Sequence, residues 1–513
     1  MKSKLLDNRH VAIGAALIFA AMFVFFAIIS PSVPYDSDDW HYLSSFSLTP
    51  VPVPPFDTWN PTRILPEYLM PAAGYFSAFV VYPLIGDYIL SISVTTALLL
   101  SALLTTLYIS LYGLFLSLSN DKVNSALAGV FAIALCFALF KGRPKENMHL
   151  FIVYSLNLHY FYTIPNILNS ILVCQLLRLC VKSELSFRRV PRKAPLLVTL
   201  LYFCIFSMLF SAITLLAFSV SVLLLNLLET IINRKRHEMK FLQALKQFGL
   251  DSFKRANIAV AAFIGVVYAI IAESFGGRAK WNNGSTLQGS VLNARFISRL
   301  FESVKSLFGF VLTMNRHVFV IMLAIFIVAV GIYIHSRKKE QPLPDPYAKA
   351  APTALLSCVV ALVCVALVSA KGGTQYSRDI RSAYSVFFFG IVFISILATY
   401  LNKKIRVMRV LFPLITIVVV MVAINSRNQF AYTYNRTYTQ TQLVESFIQK
   451  VVQADLNNET TVELRAPRYS AGGNWPIHVD SWGKEFSNTL YNHRITSSKI
   501  EITLQLDDSL PKP

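Results

Sequence analysis

Apolar runs long enough to cross a bilayer recur from one end of the chain to the other, and no other feature restricts the fold as much. A helix needs about 17–25 such residues to span the hydrocarbon layer, whereas a tilted barrel strand needs only about 9–11. Backbone polar groups inside a membrane must satisfy one another, so runs of this length have to be helical. Of the 513 residues 55% are hydrophobic and only 14% charged, with a mean hydropathy of +0.53. Soluble domains carry about a quarter charged residues. These observations predict an all-α polytopic membrane protein.

The first run, Val11 to Ile29, lacks a small-residue cleavage site behind it and is read as a retained helix. All six cysteines lie inside apolar runs, which supports neither a disulfide framework nor a zinc site. No repeat, GxGxxG or phosphate-binding P-loop is visible.

The formal charge of +20 sits in a way that argues against nucleic acid. Most of it falls in five stretches: 1–10 (+2), 182–195 (+4), 229–255 (+4), 336–350 (+2) and 402–409 (+4). Positive loops stay cytoplasmic, and contact with anionic lipid explains them without further function. Residues 31–88 carry six acids against Arg63 and belong on the other side. With the N-terminus cytoplasmic, eleven crossings are expected, near 11–30, 89–118, 125–140, 161–181, 196–211, 212–228, 256–272, 317–335, 351–370, 385–401 and 410–425. Residues 196–228 are split into a hairpin because both flanks are basic. The stretch 66–86 is laid along the outer interface, since its prolines and tyrosines suit that position; counting it as a span would require another near 150–164. The chain then divides into a membrane unit, 1–425, and an extracytoplasmic C-terminal domain, 426–513. In the latter, 443–456 has helical spacing, and 460–467 and 499–506 alternate like strands, which predicts a small α/β unit.

The first outer loop opens with "SPSVPYDSDDWHYLSS" (30–45). Asp36 and Asp39 have capping-box spacing, and capping alone accounts for one acid. Three acids in four positions exceed that need, and crowded carboxylates suit a general base or an acid–base pair, so Asp36, Asp38 and Asp39 are candidate catalytic residues. Cations are disfavoured outside unless something holds them, and a phosphate would. Lys141, Arg143 and Lys145, then Arg278 and Lys280, then Lys371, Arg378 and Arg381 fall in outer loops. Arg378 and Arg381 would share a face if helical, and lipid head groups are the simpler partner for any one of these cations. Arg63 and Glu67 are four apart, which fits either an intrahelical ion pair or a substrate contact. His149, His159, Tyr160 and Tyr162 have aromatic-belt positions, and their spacing suggests no metal site.

The acidic "YDSDDWHYL", the following "WNPTRILPEYLMP", the "ENMH…LHYFYTIP" stretch, the late "YSRDIRS" loop and the outward tail together resemble polytopic GT-C glycosyltransferases. The pattern is most similar to the bacterial serotype-converting O-antigen glucosyltransferases, although an Asp-Asp pair stands where such families often show Asp-Glu or Glu-Asp. The resemblance implies an inner-membrane enzyme with a cytoplasmic N-terminus and a periplasmic C-terminus. It implies transfer of a glucosyl or other hexosyl group from a polyprenyl-phosphate donor to a lipid-linked O-antigen repeat, with inversion. It further implies no cofactor beyond that donor, and partner proteins that make and flip it. Asp38 or Asp39 would be the base. Arg378, Arg381, Lys371, Arg143 and Lys145 would hold the phosphate, and Arg63, Glu67, Trp40 and His159 would contact substrate. The residues also fit a polysaccharide polymerase, a transporter or flippase, or a non-catalytic scaffold. The aspartate motif favours the transferase over the polymerase, and charges avoiding the span centres with no duplicated halves argue against transport.

Overall fold

The computed structural model describes residues 9–34, 36–46, 49–56, 58–140, 150–151, 155–237, 241–278, 294–338, 344–425, 427–467, 481–507 and 509. The chain begins with α1 (Arg9–Val24), which continues through a π turn, Phe25–Ile29. A short helix, α2 (Ser37–Ser44), follows, then α3 (Ile64–Phe76), prolonged by a π turn and a last turn to Ile85. The bundle proceeds through α4 (Tyr88–Ser119), α5 (Lys122–Ala138), α6 (Ile164–Val181), α7 (Ala194–Ile205), α8 (Leu209–His237), α9 (Phe241–Arg255) and α10 (Asn257–Phe275). It ends with α11 (Ala294–Thr313), α12 (Arg316–Lys338), α13 (Asp345–Gly372), α14 (Tyr384–Lys404) and α15 (Met408–Ile424). The tail is α16 (Arg427–Leu456), β1 (Thr461–Pro467), α17 (Trp482–Asn492) and β2 (Glu501–Asp507).

Local chemistry sets the helix ends. Asp87 caps α4 by accepting from Leu90 N at 2.9 Å, and Asn120 stops it in the left-handed conformation at φ 55°. Asp121 then caps α5 through Asn124 N at 3.1 Å. Two residues thus reverse the chain, and α5 runs back along α4.

Contacts between distant segments sort the loops into two ends. At one, Lys403 donates to Ser119 O, Lys349 to Ser183 Oγ, and Phe187 N to Asn257 Oδ1, at 3.1, 3.1 and 2.9 Å. Four of the five basic stretches meet there. At the other end lie α2 and the segments around 60–67, 155–162 and 485–493 that touch it, with 206–210, 273–278 and 371–376 meeting beside Arg63. This separation matches the two-sided charge pattern of the sequence.

Among the described residues, nine helices are long and apolar enough to cross a membrane, and α5 and α15 are shorter apolar helices. One of the eleven expected spans needs correction, and a further helical run passes as a span by composition. First, α7 has twelve residues, about 18 Å of helix, too short to cross alone. It unwinds at Phe206, whose carbonyl accepts Leu65 N of α3 at 3.1 Å, and α8 restarts at Leu209. Second, Ile64–Ile85 is one helical run that passes as a span by length and composition. Both its ends nevertheless lie at the α2 end: Asn60, just before it, bonds Tyr42, and Tyr88, just after it, bonds His493, which in turn reaches Leu43 O.

In the tail, β1 and β2 form a parallel pair from Thr461↔Glu501 to Pro467↔Asp507, where alternation in the sequence predicts strands. Its apolar centre of Phe447, Trp482, Phe486 and Leu490 is completed by Trp40 of α2.

Candidate functional site

The three aspartates of α2 take different positions. Asp36 is the N-cap, accepting Asp39 N at 3.1 Å, while Asp39 accepts Asp36 N at 3.2 Å, a reciprocal capping box. Asp39 has no exposed surface and also receives Asn157 N at 2.5 Å and the Ser155 hydroxyl at 3.2 Å. It pins the 155–157 segment beneath α2 and is itself closed off from solvent. Asp38 alone points outward and is exposed. Asp39 is thus engaged in capping and pinning, Asp36 is half-buried and serves as the cap, and Asp38 is the exposed acid of the three. Trp40, expected on a sugar, is wholly buried edge-on against Phe486. His159 is likewise fully buried, edge-on to Phe26 at 5.8 Å.

The late loop differs from its expected helical face. Thr374–Arg378 is a short 3-10 turn, after which the chain turns again. Arg378 faces solvent and pairs with Glu302 of α11 at 2.5 Å. Arg381 forks onto Asp379, with Nε to Oδ1 at 2.9 Å and Nη2 to Oδ2 at 2.6 Å, and lies over the Tyr162 ring. Both guanidiniums expected on a phosphate are thus matched by carboxylates of the protein. Arg143, Lys145 and Lys280 lie outside the described residues.

A cavity of about 410 Å³ opens between the starts of α3 and α8 and the ends of α10 and α13. Leu209, Phe210, Leu216, Ile270, Leu367 and Val368 make it largely apolar, and Arg63, Arg278, Lys371, Glu273 and Tyr376 supply its polar atoms. Among the described residues none of these three cations forms an ion pair. Arg63 instead lies over the Phe161 ring, 5.4 Å from its centroid. Arg278 is positioned by backbone: its N–H donates to Trp59 O and that of Gly277 to Thr58 O, each at 3.0 Å. The approach depends on glycine, because a Cβ on Gly276 would lie 2.6 Å from Pro61 Cδ.

Tyr42 of α2 lies within electrostatic reach of Asp38 and of Arg63 and Arg278 of the cavity. Asn60 donates to its hydroxyl at 3.4 Å and to Glu67 at 3.0 Å. Burial pushes the Tyr42 phenol well above its usual range; the nearby Glu67 and Asp38 charges add to this, against the opposing pull of Arg63 and Arg278. The phenol therefore stays a proton donor, within electrostatic reach of all four charged groups. Glu67 consequently sits in this network, with Asn60 as its described hydrogen-bond donor.

Lys371 and Arg63 are the expected substrate contacts that the structure brings together. Sequence reasoning noticed Arg278 without selecting it and passed over Glu273, Asn60 and Tyr376. Glu273 carried a signal: it is an acid within "AIIAESFGG", at the end of an apolar run. No protein-family model matches the chain, and no curated protein matches it.

Proposed function

We propose that the cavity binds the phosphate and first isoprene units of a polyprenyl-phosphate-linked hexose, and that Asp38 activates an acceptor hydroxyl of a lipid-linked glycan repeat. The observation that carries this reading is the pairing of a largely apolar cavity with three cations that have no carboxylate partner among the described residues. Arg and Lys without internal counter-charge are suited to an incoming phosphate.

In this mechanism Asp38 takes the proton of the acceptor hydroxyl as its oxygen attacks the anomeric carbon. The bond from that carbon to the phosphate oxygen breaks, and its electron pair leaves with the polyprenyl phosphate. Arg63, Arg278 and Lys371 stabilise the charge that builds there, a contribution of about 10²–10³ in rate for one well-placed donor. Attack opposite the leaving group inverts the anomeric configuration. The exposed acid side would face the periplasm of a bacterial inner membrane, consistent with a donor flipped outward.

Mass spectrometry of the O-antigen from a host with and without the gene tests the proposal, with Asp38→Asn and Lys371→Ala beside the wild type. One added hexose per repeat, lost in both variants while the protein stays in the membrane, is the expected result. An unchanged repeat with altered chain length would replace it with the polymerase reading.

A further inference from the structure

Glu273 shares the cavity with Arg63, Arg278 and Lys371 but is held apart from them. Its Oε2 accepts the Thr62 hydroxyl at 2.8 Å, and among the described residues its other oxygen accepts no protein donor and no cation forms an ion pair with it. Opposite charges lining one cavity attract and tend to close onto each other. Here the backbone bonds from Gly277 and Arg278 to Thr58 and Trp59, and the seat of Arg63 over Phe161, prevent that collapse. The cavity therefore offers a cationic wall and a carboxylate together. A simple anion would use the first and be repelled by the second. A ligand that uses both carries an anionic group and hydroxyl donors, which is the chemistry of a phosphorylated sugar.

We infer that Glu273 is a specificity-determining residue that accepts a hydrogen bond from a hydroxyl of the hexosyl group whose phosphate rests on Arg63, Arg278 and Lys371. The inference rests on the donor-site reading above and adds to it the group that distinguishes a sugar-bearing lipid from a bare lipid phosphate. A site built to hold a hydroxyl discriminates against ligands that lack it, because the acceptor is then left without that partner.

Equilibrium binding to the detergent-solubilised full chain tests it, with polyprenyl phosphate and a set of polyprenyl-phosphate hexoses (glucose, galactose, mannose) as probes. Wild type should bind one hexosyl lipid tighter than the bare lipid. Glu273→Gln should lose about tenfold or more on that hexosyl lipid, since hydrogen bonds to a charged acceptor are roughly twice as strong. The same variant should bind polyprenyl phosphate as well as wild type or better, because a like charge has gone. Thr62→Val, which frees the carboxylate from its seat, should show a smaller loss in the same direction.

If Glu273→Gln leaves both affinities unchanged, the assignment fails. If it loses the bare lipid as well, Thr62→Val must still show the sugar-selective loss or the assignment fails. Wild type that binds bare and hexosyl lipids equally overturns the role of Glu273 and leaves the phosphate site standing. Wild type that binds none of the lipids overturns the donor site, and this inference with it.

Discussion

Trp40 of α2 and Phe486 of α17 meet edge to face, with ring centroids 4.5 Å apart, although nearly the whole chain separates them. Phe486 in turn stacks on Trp482 at 4.7 Å. Around this aromatic centre Thr489 donates to Trp40 O at 2.5 Å, Ser44 and Thr489 share a hydrogen bond at 3.0 Å, and His41 Nδ1 meets Glu485 at 3.0 Å. The tail therefore grips the helix that carries Asp38, and its core is incomplete without the segment between α1 and α3. Trp40→Ala should cost about 3–5 kcal/mol, the usual range for emptying a buried aromatic site. Limited proteolysis of the full chain should then cut the tail faster. Unchanged resistance would mean that this shared core does not hold the tail.

The neighbouring aspartates should separate activity from stability. Asp38 is exposed, so Asp38→Asn should leave the fold intact while transfer falls about 10²–10⁴-fold, the range for loss of a general base. Asp39→Asn leaves Asn157 N–H and Ser155 facing a weaker acceptor in a buried site and should cost about 1–3 kcal/mol of stability. Rates per folded molecule and thermal inactivation in detergent check both. A stable but inactive Asp39→Asn protein would reverse these two roles.

Much of the architecture is legible in the sequence because membrane crossing depends on length and apolarity, which are local properties. The two-ended charge pattern and both tail strands are of this kind. The site was legible by residue class and much less by residue. Aspartates in an outer loop are visible in the chain, but which of three is buried depends on Ser155 and Asn157, more than a hundred positions away. Arg378 and Arg381 look equivalent to Lys371 until Glu302 and Asp379 are placed beside them. Trp40 reads as a substrate contact because its partner, Phe486, lies at the other end of the chain. The basic flanks of 196–228 did announce a break between α7 and α8, but its place at Phe206 was hidden, since the Phe206 carbonyl meets Leu65 N of a distant segment.

The cavity cations and the late-loop cations should behave differently on substitution. Arg278→Ala and Lys371→Ala remove cations from the cavity and should each raise the dissociation constant for polyprenyl phosphate about tenfold, a loss of about 1.4 kcal/mol. Arg378→Ala breaks an exposed pair with Glu302, worth about 0–1 kcal/mol, and should leave that affinity within twofold. Binding measured at two salt concentrations is the check. A larger effect from Arg378 than from Arg278 would move the phosphate site to the late loop.

His493 should make the grip of the tail on α2 sensitive to acid. Its Nε2 faces Leu43 O at 3.2 Å and its Nδ1 faces Tyr88 Oη at 2.6 Å, an arrangement in which a neutral ring donates through Nε2 and accepts from the Tyr88 hydroxyl. Burial lowers its pKa from 6.5 to about 4, opposed by the hydrogen bond to Leu43 O. The folded state thus binds the proton less readily than the unfolded state. The stabilisation is fully present above pH 6.5 and is lost as pH falls towards 4, a change on the order of 3 kcal/mol. Thermal stability of the full chain should fall across that window, and His493→Gln should flatten the fall while lowering stability at pH 7. The glycine opposite makes the seat tight: a Cβ on Gly74 would lie 3.1 Å from His493 Cε1 and 2.2 Å from Leu43 O. Gly74→Ala should therefore push α3 off α2 and weaken the tail at every pH, without the acid-specific slope. If His493→Gln keeps the full acid loss, another group drives it, and the ring at this junction is only a packing element.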